Sequence, residues 1–303
     1  MPSTTQQAVL DRIEPVADGV VALTLRGAPT PWEPGAHIDV SLPNWLTRQY
    51  SLCGDPADSE TLRIAVRHER LSRGGSDYIH RYLRPGRKLP ISPPRNNFPL
   101  VGAESYLFIA GGIGITAVLP MLRHAVASGV PARLVYTGRS RATMPFTDEI
   151  RELCGDAATL VETERDARPD LPALAAALPP GGAVYCCGPA AMLTAAEAAF
   201  DPAVLHTERF RPARRTFAPN TPFTAVCARS GGSVEVPADT SLLDALTHAG
   251  HRVASGCREG VCGSCVLKVL GGEPEHRDDI GAAQGEIYTC VSRSRTPRLV
   301  LDL

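Results

Sequence analysis

The sequence predicts a multidomain protein: an antiparallel β-barrel, then an α/β domain with a parallel sheet, then a small α+β domain built round a loop of cysteines. Three observations predict it. Residues 8–99 alternate short apolar strands with turn residues and show no long helical period, the pattern of a small antiparallel barrel. From Tyr106 to Phe210 strands alternate with helical stretches, which points to a parallel sheet covered by helices. Near the end of the chain Cys257, Cys262, Cys265 and Cys290 stand as C-x4-C-x2-C with a distant fourth cysteine. A chain of 303 residues holds two or three such cores.

In the first part, Val20–Leu25, His37–Leu42 and Leu62–Val66 read as strands, punctuated by Gly35, by Pro43 and Asn44, and by Gly54-Asp55-Pro56. Arg48-Gln49-Tyr50-Ser51-Leu52 falls at a strand end. An aromatic ring beside a hydroxyl and an arginine suits a flat cofactor that carries a phosphate. Alone, such an Arg–Tyr pair serves equally well as a surface pair or a core edge. Ser72-Arg73-Gly74-Gly75-Ser76 precedes a helical turn, offering N–H groups and a hydroxyl to a phosphate. An ordinary glycine loop is its plain alternative.

In the second part the strand Tyr106–Ala110 runs into Gly111-Gly112-Ile113-Gly114-Ile115-Thr116 and a helix from Thr116 to Ser128. The glycines let a dinucleotide approach the backbone, and Thr116 reaches towards a bound ring. The spacing differs from G-x-G-x-x-G, so the standard fingerprint is not met. Ala132–Tyr136, Asp148–Leu153, Leu171–Leu178 and Ala183–Cys187 continue the alternation, and Cys187-Gly188-Pro189 sits at a strand's carboxyl end, where open α/β sheets bind ligands. Cys186 reads as a small buried hydrophobe. Ser105–Leu122 is uncharged and long enough to raise a transmembrane question, yet its three glycines and Pro120 read as strand, turn and helix of a soluble domain.

The stretch between Phe210 and Thr221 is polar with two prolines, a linker by composition. Beyond it, Phe223–Ala228 and Ser233–Val236 predict a hairpin and Ser241–Ala249 a capped helix. Three cysteines sharing one short loop need a tight backbone, supplied by Gly256, Gly260 and Gly263. The spacing is that of a plant-type [2Fe-2S] cluster. Zinc sites more often pair their ligands as two short knuckles, which makes zinc the lesser reading. Cys53, Cys154, Cys186, Cys187 and Cys227 remain, and an odd total of nine argues against a disulfide framework and for a reducing compartment. The net charge of -1 leaves no basic footprint for nucleic acid and no polybasic membrane patch. The start of the chain shows no secretion signal, and a cytoplasmic location is expected.

Taken in this order, and with Pro94-Arg-Asn-Asn-Phe-Pro-Leu100 between them, these motifs resemble the ferredoxin-NADP reductase superfamily. Within it the chain is similar to the phthalate dioxygenase reductase family, which includes vanillate demethylase reductases. The resemblance implies an FMN-binding β-barrel over residues 1–101, an α/β parallel-sheet NAD(P) domain over 102–211, a linker at 212–221 and a β-grasp plant-type ferredoxin domain over 222–303. It implies that Arg48 pairs with the flavin phosphate, Tyr50 lies against the ring system and Ser51 sits near its reactive edge. Gln49, Ala65, Val66 and Arg67 are implied flavin contacts, and Ser76 with the Gly74-Gly75 backbone holds the phosphate. Thr116 and Cys187 flank the nicotinamide, with Gly112, Gly114, Ile115, Arg139, Ser140, Gly188 and Pro189 along the nucleotide, and Glu208 and Phe210 return to the flavin. Ser51, Thr116 and Cys187 are thus the implied catalytic positions.

The signatures look like the FMN-using branch rather than its FAD-using relatives. NADH is the expected donor, with NADPH kept open by Arg139, Ser140 and Arg141. A hydride carries two electrons and a [2Fe-2S] cluster takes one, so a flavin between them fits the chemistry. The implied role is the reductase, acting as a monomer, of a separate terminal oxygenase of the Rieske non-haem iron type. A cytochrome P450 acceptor is the alternative, and a non-catalytic redox sensor or structural zinc module is the reading from another class. Glu259, Glu273, Glu275, Asp278 and Asp279 form an acidic group that suits a basic partner or a solvated loop.

Overall fold

The β-branched and leucine-rich runs of the first hundred residues become seven strands, because each is short, apolar on one face and stopped by a turn residue. The computed structural model describes residues 5–28, 30–213 and 215–303; Arg214, in the expected linker, lies outside them. The chain divides into two compact units, one reaching Arg209 and one running Phe210–Leu303.

The barrel strands are β1 (Gln6–Ala17), β2 (Val20–Arg26), β3 (Ala36–Ser41), β4 (Thr47–Ser51), β5 (Thr61–Arg67), β6 (Lys88–Ile91) and β7 (Arg95–Asn96). They pair antiparallel in the order β4-β3-β6-β1-β2-β5, with β7 on β3. A Leu52–Ile64 bridge brings the end of β4 to β5 and closes the row. Leu10, Leu23, Ile38, Ile64 and Leu89 fill the interior, and Ile79 of helix α1 (Gly75–Tyr82) joins them, all fully buried. Asn96 accepts the Phe98 N–H at 3.0 Å and donates to Pro34 O at 3.0 Å, so this part of the Asn-Asn-Phe motif serves to seat Phe98 against Tyr185, 5.3 Å between rings.

The second sheet is wholly parallel: β8 (Ser105–Gly111), β9 (Ala132–Gly138), β10 (Ala158–Glu162), β11 (Gly182–Cys187) and β12 (Leu205–Glu208), in the order β10-β9-β8-β11-β12. The order reverses between β8 and β11, the switch point where doubly wound sheets open a crevice. Helices α2 (Ile115–Ala127) and α3 (Thr147–Cys154) cover one face; α4 (Leu171–Ala176) and α5 (Ala190–Ala199) cover the other. Val20, Ala22, Cys53 and Ala65 of the barrel share one core with Phe108, Val118 and Leu122 of this domain. That common core is why the two domains form one unit.

The second unit is a β-grasp fold. Strands β13 (Phe223–Cys227), β14 (Ser233–Val236), β15 (Val266–Gly271), β17 (Glu286–Tyr288) and β19 (Arg298–Leu301) form a sheet in the order β14-β13-β19-β15-β17, and β16 (Pro274–Glu275) pairs with β18 (Arg293–Ser294). Helix α6 (Leu242–His248) packs Leu242 and Leu246 on the sheet, its start capped by Ser241, whose Oγ accepts the Asp244 N–H at 3.0 Å. The stretch expected to be a linker is strapped down instead. Ala213 N–H donates to Asp279 Oδ2 at 2.6 Å, Arg215 binds Asp279 and donates to Asp278 O at 3.1 Å, and Arg277 lies 4.7 Å from the Phe217 ring and donates to Asn220 Oδ1 at 2.7 Å. No helix among the described residues is long and apolar enough to cross a membrane.

Candidate redox site

The side chains expected to carry the chemistry fall into three clusters. The first lies where β4, β5 and the start of α1 meet. Arg48 donates to Thr47 O at 2.8 Å and to Arg73 O at 3.0 Å. Its stem crosses Gly75 so closely that a Cβ there would lie 2.8 Å from Arg48 Cγ. Ser72 Oγ accepts the Gly74 and Asp77 N–H groups at 3.1 and 3.3 Å. The Gly75 and Ser76 N–H groups, at the first turn of α1, have no hydrogen-bond acceptor among the described residues. Two open N–H groups beside a guanidinium form a cradle that fits a phosphate. The Ser76 hydroxyl is already engaged, donating to Ser72 Oγ at 3.1 Å and accepting from Glu69 N–H at 3.1 Å.

Tyr50 and Gln49 are half-buried and Ser51 is buried on β4; burial pushes the Tyr50 phenol up despite the charge of Arg48, so it stays protonated. Ala65 and Val66 are buried on β5, and Arg67, exposed at its end, pairs with Glu69, Nε to Oε1 at 3.0 Å. A Cβ on Gly112 would lie 3.8 Å from Arg67 Nη1, so this arginine reaches the glycine turn of the next domain.

That turn is the second cluster. It occupies Gly112–Gly114 as a short 3-10 turn between β8 and α2. A Cβ on Gly114 would lie 2.2 Å from the Cys187 carbonyl oxygen, so the first turn of α2 rests directly on the end of β11. Ile115 and Thr116 are buried, and Thr116 Oγ1 donates to Ile113 O at 2.9 Å. Gly188 and Pro189 crowd Gly111, a Cβ on which would lie 2.6 Å from Pro189 Cδ. The register sets Cys187 beside Ala110 on one side and Glu208 on the other.

Cys187 Sγ faces Glu208 Oε2 at 3.9 Å. Burial, then the neighbouring Glu208, pushes the Cys187 thiol well up, and burial raises the Glu208 carboxyl to about 8. Folded Glu208 therefore keeps a proton that the unfolded chain, at its ordinary 4.5, has lost. Stability from this group is full below pH ~4.5 and is lost as pH rises through about 8. Glu208→Gln is expected to melt higher than the parent at pH 8 and to lose that advantage by pH 5; thermal melts across this range check it.

Arg139 is exposed and Ser140 half-buried after β9, the Ser140 N–H donating to Thr143 Oγ1 at 3.3 Å. Sequence reasoning missed the carboxylate beside them. Glu162, at the end of β10 and in register with Gly138, accepts the Arg141 N–H at 2.9 Å. Phe210 opens the second unit and is 39% exposed.

The third cluster is the cysteine loop. Cys262 and Cys265 are buried, Cys257 and Cys290 half-buried. The four thiols influence one another in two pairs, Cys257 with Cys262 and Cys265 with Cys290. Among the described residues no group of three or more His, Cys, Asp or Glu side chains converges as a metal-ion site. The C-x4-C-x2-C spacing with a distant fourth cysteine is the ligand set of a two-iron cluster, not the two short knuckles of a zinc site. N–H groups approach the sulfurs: Cys257 to Cys262 Sγ at 3.4 Å and Glu259 to Cys257 Sγ at 3.3 Å. Such donors suit a negatively charged cluster. Gly260, at φ +74°, has no room for a Cβ, which would lie 2.7 Å from Val291 Cγ2. Of the acidic group expected as a docking face or a solvated loop, Glu275 pairs with Arg277 at 2.7 Å, Asp279 pairs with Arg215 and Asp278 is buried, whereas Glu259 is half-buried and Glu273 meets Arg295 at 3.1 Å on the surface.

Residues 227–295 match the family model for the 2Fe-2S iron-sulfur cluster binding domain. The chain is 41% identical over 302 residues to the phenoxybenzoate dioxygenase subunit beta of Ectopseudomonas oleovorans, covering 95% of this chain and 94% of that protein. Among solved structures it is similar to phthalate dioxygenase reductase, described as a modular structure for electron transfer from pyridine nucleotides to [2Fe-2S], at TM-score 0.74 and 35% identity over 99% of this chain and 98% of that one. It also matches part of an intact type IV self-sufficient cytochrome P450 monooxygenase, at TM-score 0.90 and 38% identity over 99% of this chain and 41% of that one. With its barrel, parallel sheet and cysteine-loop domain in the same order, this oxidoreductase belongs to the phthalate dioxygenase reductase family.

Proposed function

We propose that the protein is the reductase of an oxygenase system, drawing electrons from NADH through FMN and a [2Fe-2S] cluster to a terminal oxygenase of the Rieske type. The observation that carries this reading is the presence in one chain of a phosphate cradle, a glycine turn at a sheet's switch point and two pairs of thiols. In that reading residues 1–101 hold FMN, 102–211 hold the nucleotide and 222–303 hold the cluster. FMN held there would supply the means to take two electrons as a hydride and release them singly.

The chain's own residues supply binding and orientation. Arg48 and the Gly75 and Ser76 N–H groups neutralise the phosphate, while Tyr50, Ser51, Ala65, Val66 and Arg67 frame the ring. The glycine turn admits the nucleotide backbone, and Thr116 and Cys187, the latter kept as a neutral thiol, border the nicotinamide. No side chain is asked to act as general acid or base. Cys257, Cys262, Cys265 and Cys290 would hold the cluster, and the N–H groups round the sulfurs would offset its negative charge. With four of the nine cysteines given to the cluster and none in a disulfide, a reducing, cytoplasmic setting fits, and the protein is read as a monomer. A haem acceptor is the second reading, favoured by the similarity to the P450 monooxygenase.

Anaerobic addition of NADH to the purified protein is expected to bleach flavin bands and then a cluster shoulder, and to give the rhombic low-temperature EPR signal of a reduced [2Fe-2S] centre. NADPH is expected to act at least tenfold more slowly. A colourless protein, or one that neither nucleotide bleaches, overturns the reading.

A further inference from the structure

A charged cluster away from all three sites spans the junction of the barrel and the parallel-sheet domain. Glu149 of α3 lies between two arginines: Arg63 of β5, at 2.8 Å, and Arg123 of α2, in closer contact still. The three side chains are only 25%, 24% and 26% exposed. Arg63 also lies 4.6 Å from the centre of the Phe146 ring. Phe146 begins α3 at φ +66°, a left-handed backbone unusual for a bulky residue, and is itself buried. The fully buried thiol of Cys53 senses all three charges, and burial raises it to about 12, so it remains neutral packing beneath them.

The elements joined are those that carry the reaction. Arg63 and Ala65 share a face of β5, two residues before Arg67, whose guanidinium approaches Gly112. Arg123 is two turns into the helix that the glycine turn and Thr116 open. Apolar packing in the common core is non-directional and tolerates small slips. A carboxylate gripped from two sides is directional, so it fixes the angle between β5 and α2. Such ion clusters add little net stability, and specifying one geometry is the role left to them.

We infer that Glu149 is a positioning residue for hydride transfer: through Arg63 and Arg123 it sets how the nicotinamide edge meets the flavin. This rests on the reading given under Proposed function. Displacements near 1 Å cost about 100-fold in rate where reacting atoms must be aligned. Without its charge, Arg63 and Arg123 face each other and push β5 and α2 apart.

The test uses flavin-loaded, cluster-loaded enzyme. In anaerobic stopped-flow with NADH, Glu149→Gln is expected to lower the limiting rate of flavin bleaching at least tenfold. The NADH concentration at half-saturation is expected to change less than threefold. The long-wavelength charge-transfer band between reduced nucleotide and flavin is expected to weaken, while flavin content stays at the parent level. Glu149→Asp, which keeps the charge, is expected to recover part of both the rate and the band. An unchanged limiting rate and band in folded Glu149→Gln overturns the inference, as does a loss confined to half-saturation. Should Glu149→Gln lose its flavin, Arg123→Gln, which leaves the Arg63–Glu149 pair in place, is judged by the same criteria. A parent enzyme that neither nucleotide bleaches refutes the reductase reading itself.

Discussion

Cys290→Ala is expected to yield a flavoprotein that takes electrons from NADH and passes none to a one-electron protein acceptor. Cys290 lies 25 residues beyond Cys265, with which it pairs, and so stands apart from the loop that holds the other three thiols. Its loss would leave the cluster one protein sulfur short. The loop's N–H groups, gathered for a charged cluster, then face an incomplete site. Iron and sulfide content is expected to fall close to zero, along with the EPR signal of the reduced centre. Transfer to cytochrome c is expected to drop at least 100-fold. Bleaching of the flavin by NADH persists within about threefold, because the barrel and parallel-sheet domains have cores of their own. Full cluster content in this variant would exclude Cys290 as a ligand.

Gly114→Ala is expected to have the next largest effect. The added methyl meets the Cys187 carbonyl oxygen at 2.2 Å and its carbon at 2.6 Å. These are main-chain atoms of a central strand and have no rotamer by which to escape. Either α2 or the end of β11 shifts, at a cost of about 1–3 kcal/mol for overpacking. The shift falls on Thr116 and Cys187 together, so half-saturation by NADH is expected to rise at least tenfold with flavin content unchanged. Gly102→Ala serves as the control, since a Cβ there meets nothing within 4 Å. Melting curves and an anaerobic NADH titration of both variants decide the matter, and equal behaviour of the two counts against the close contact.

The features legible in the sequence are those written locally. The switch from short strands to alternating strands and helices, the hairpin before α6, the glycine turn and the three-cysteine loop each depend on residues within a few positions of one another. Glu162 escaped notice because its relevance comes from parallel register: it adjoins Arg141 only once β10 lies beside β9. Ser72 was read as the start of a phosphate loop, whereas its hydroxyl caps that loop and leaves the Gly75 and Ser76 N–H groups open. The acidic run near the cysteines looked like a surface because a sequence does not display partners such as Arg215, more than 60 residues away. Asp278 shows the same limit, since nothing in its neighbours announces that it will be buried against Gly260.

The strap that begins at Ala213 changes what counts as a transferable module. A polar, proline-bearing stretch invites a cut near residue 222, as if everything before it were spacer. Such a cut removes the Arg215 partner of Asp279 and takes Phe217 and Asn220 from Arg277. The Asp279 N–H donates to the Gly260 carbonyl at 3.0 Å, so the damage arrives one hydrogen bond from the iron-holding loop. For fusing this electron-delivering module to another enzyme, the natural junction lies ahead of Ala213, and the segment up to Thr221 travels with the cargo.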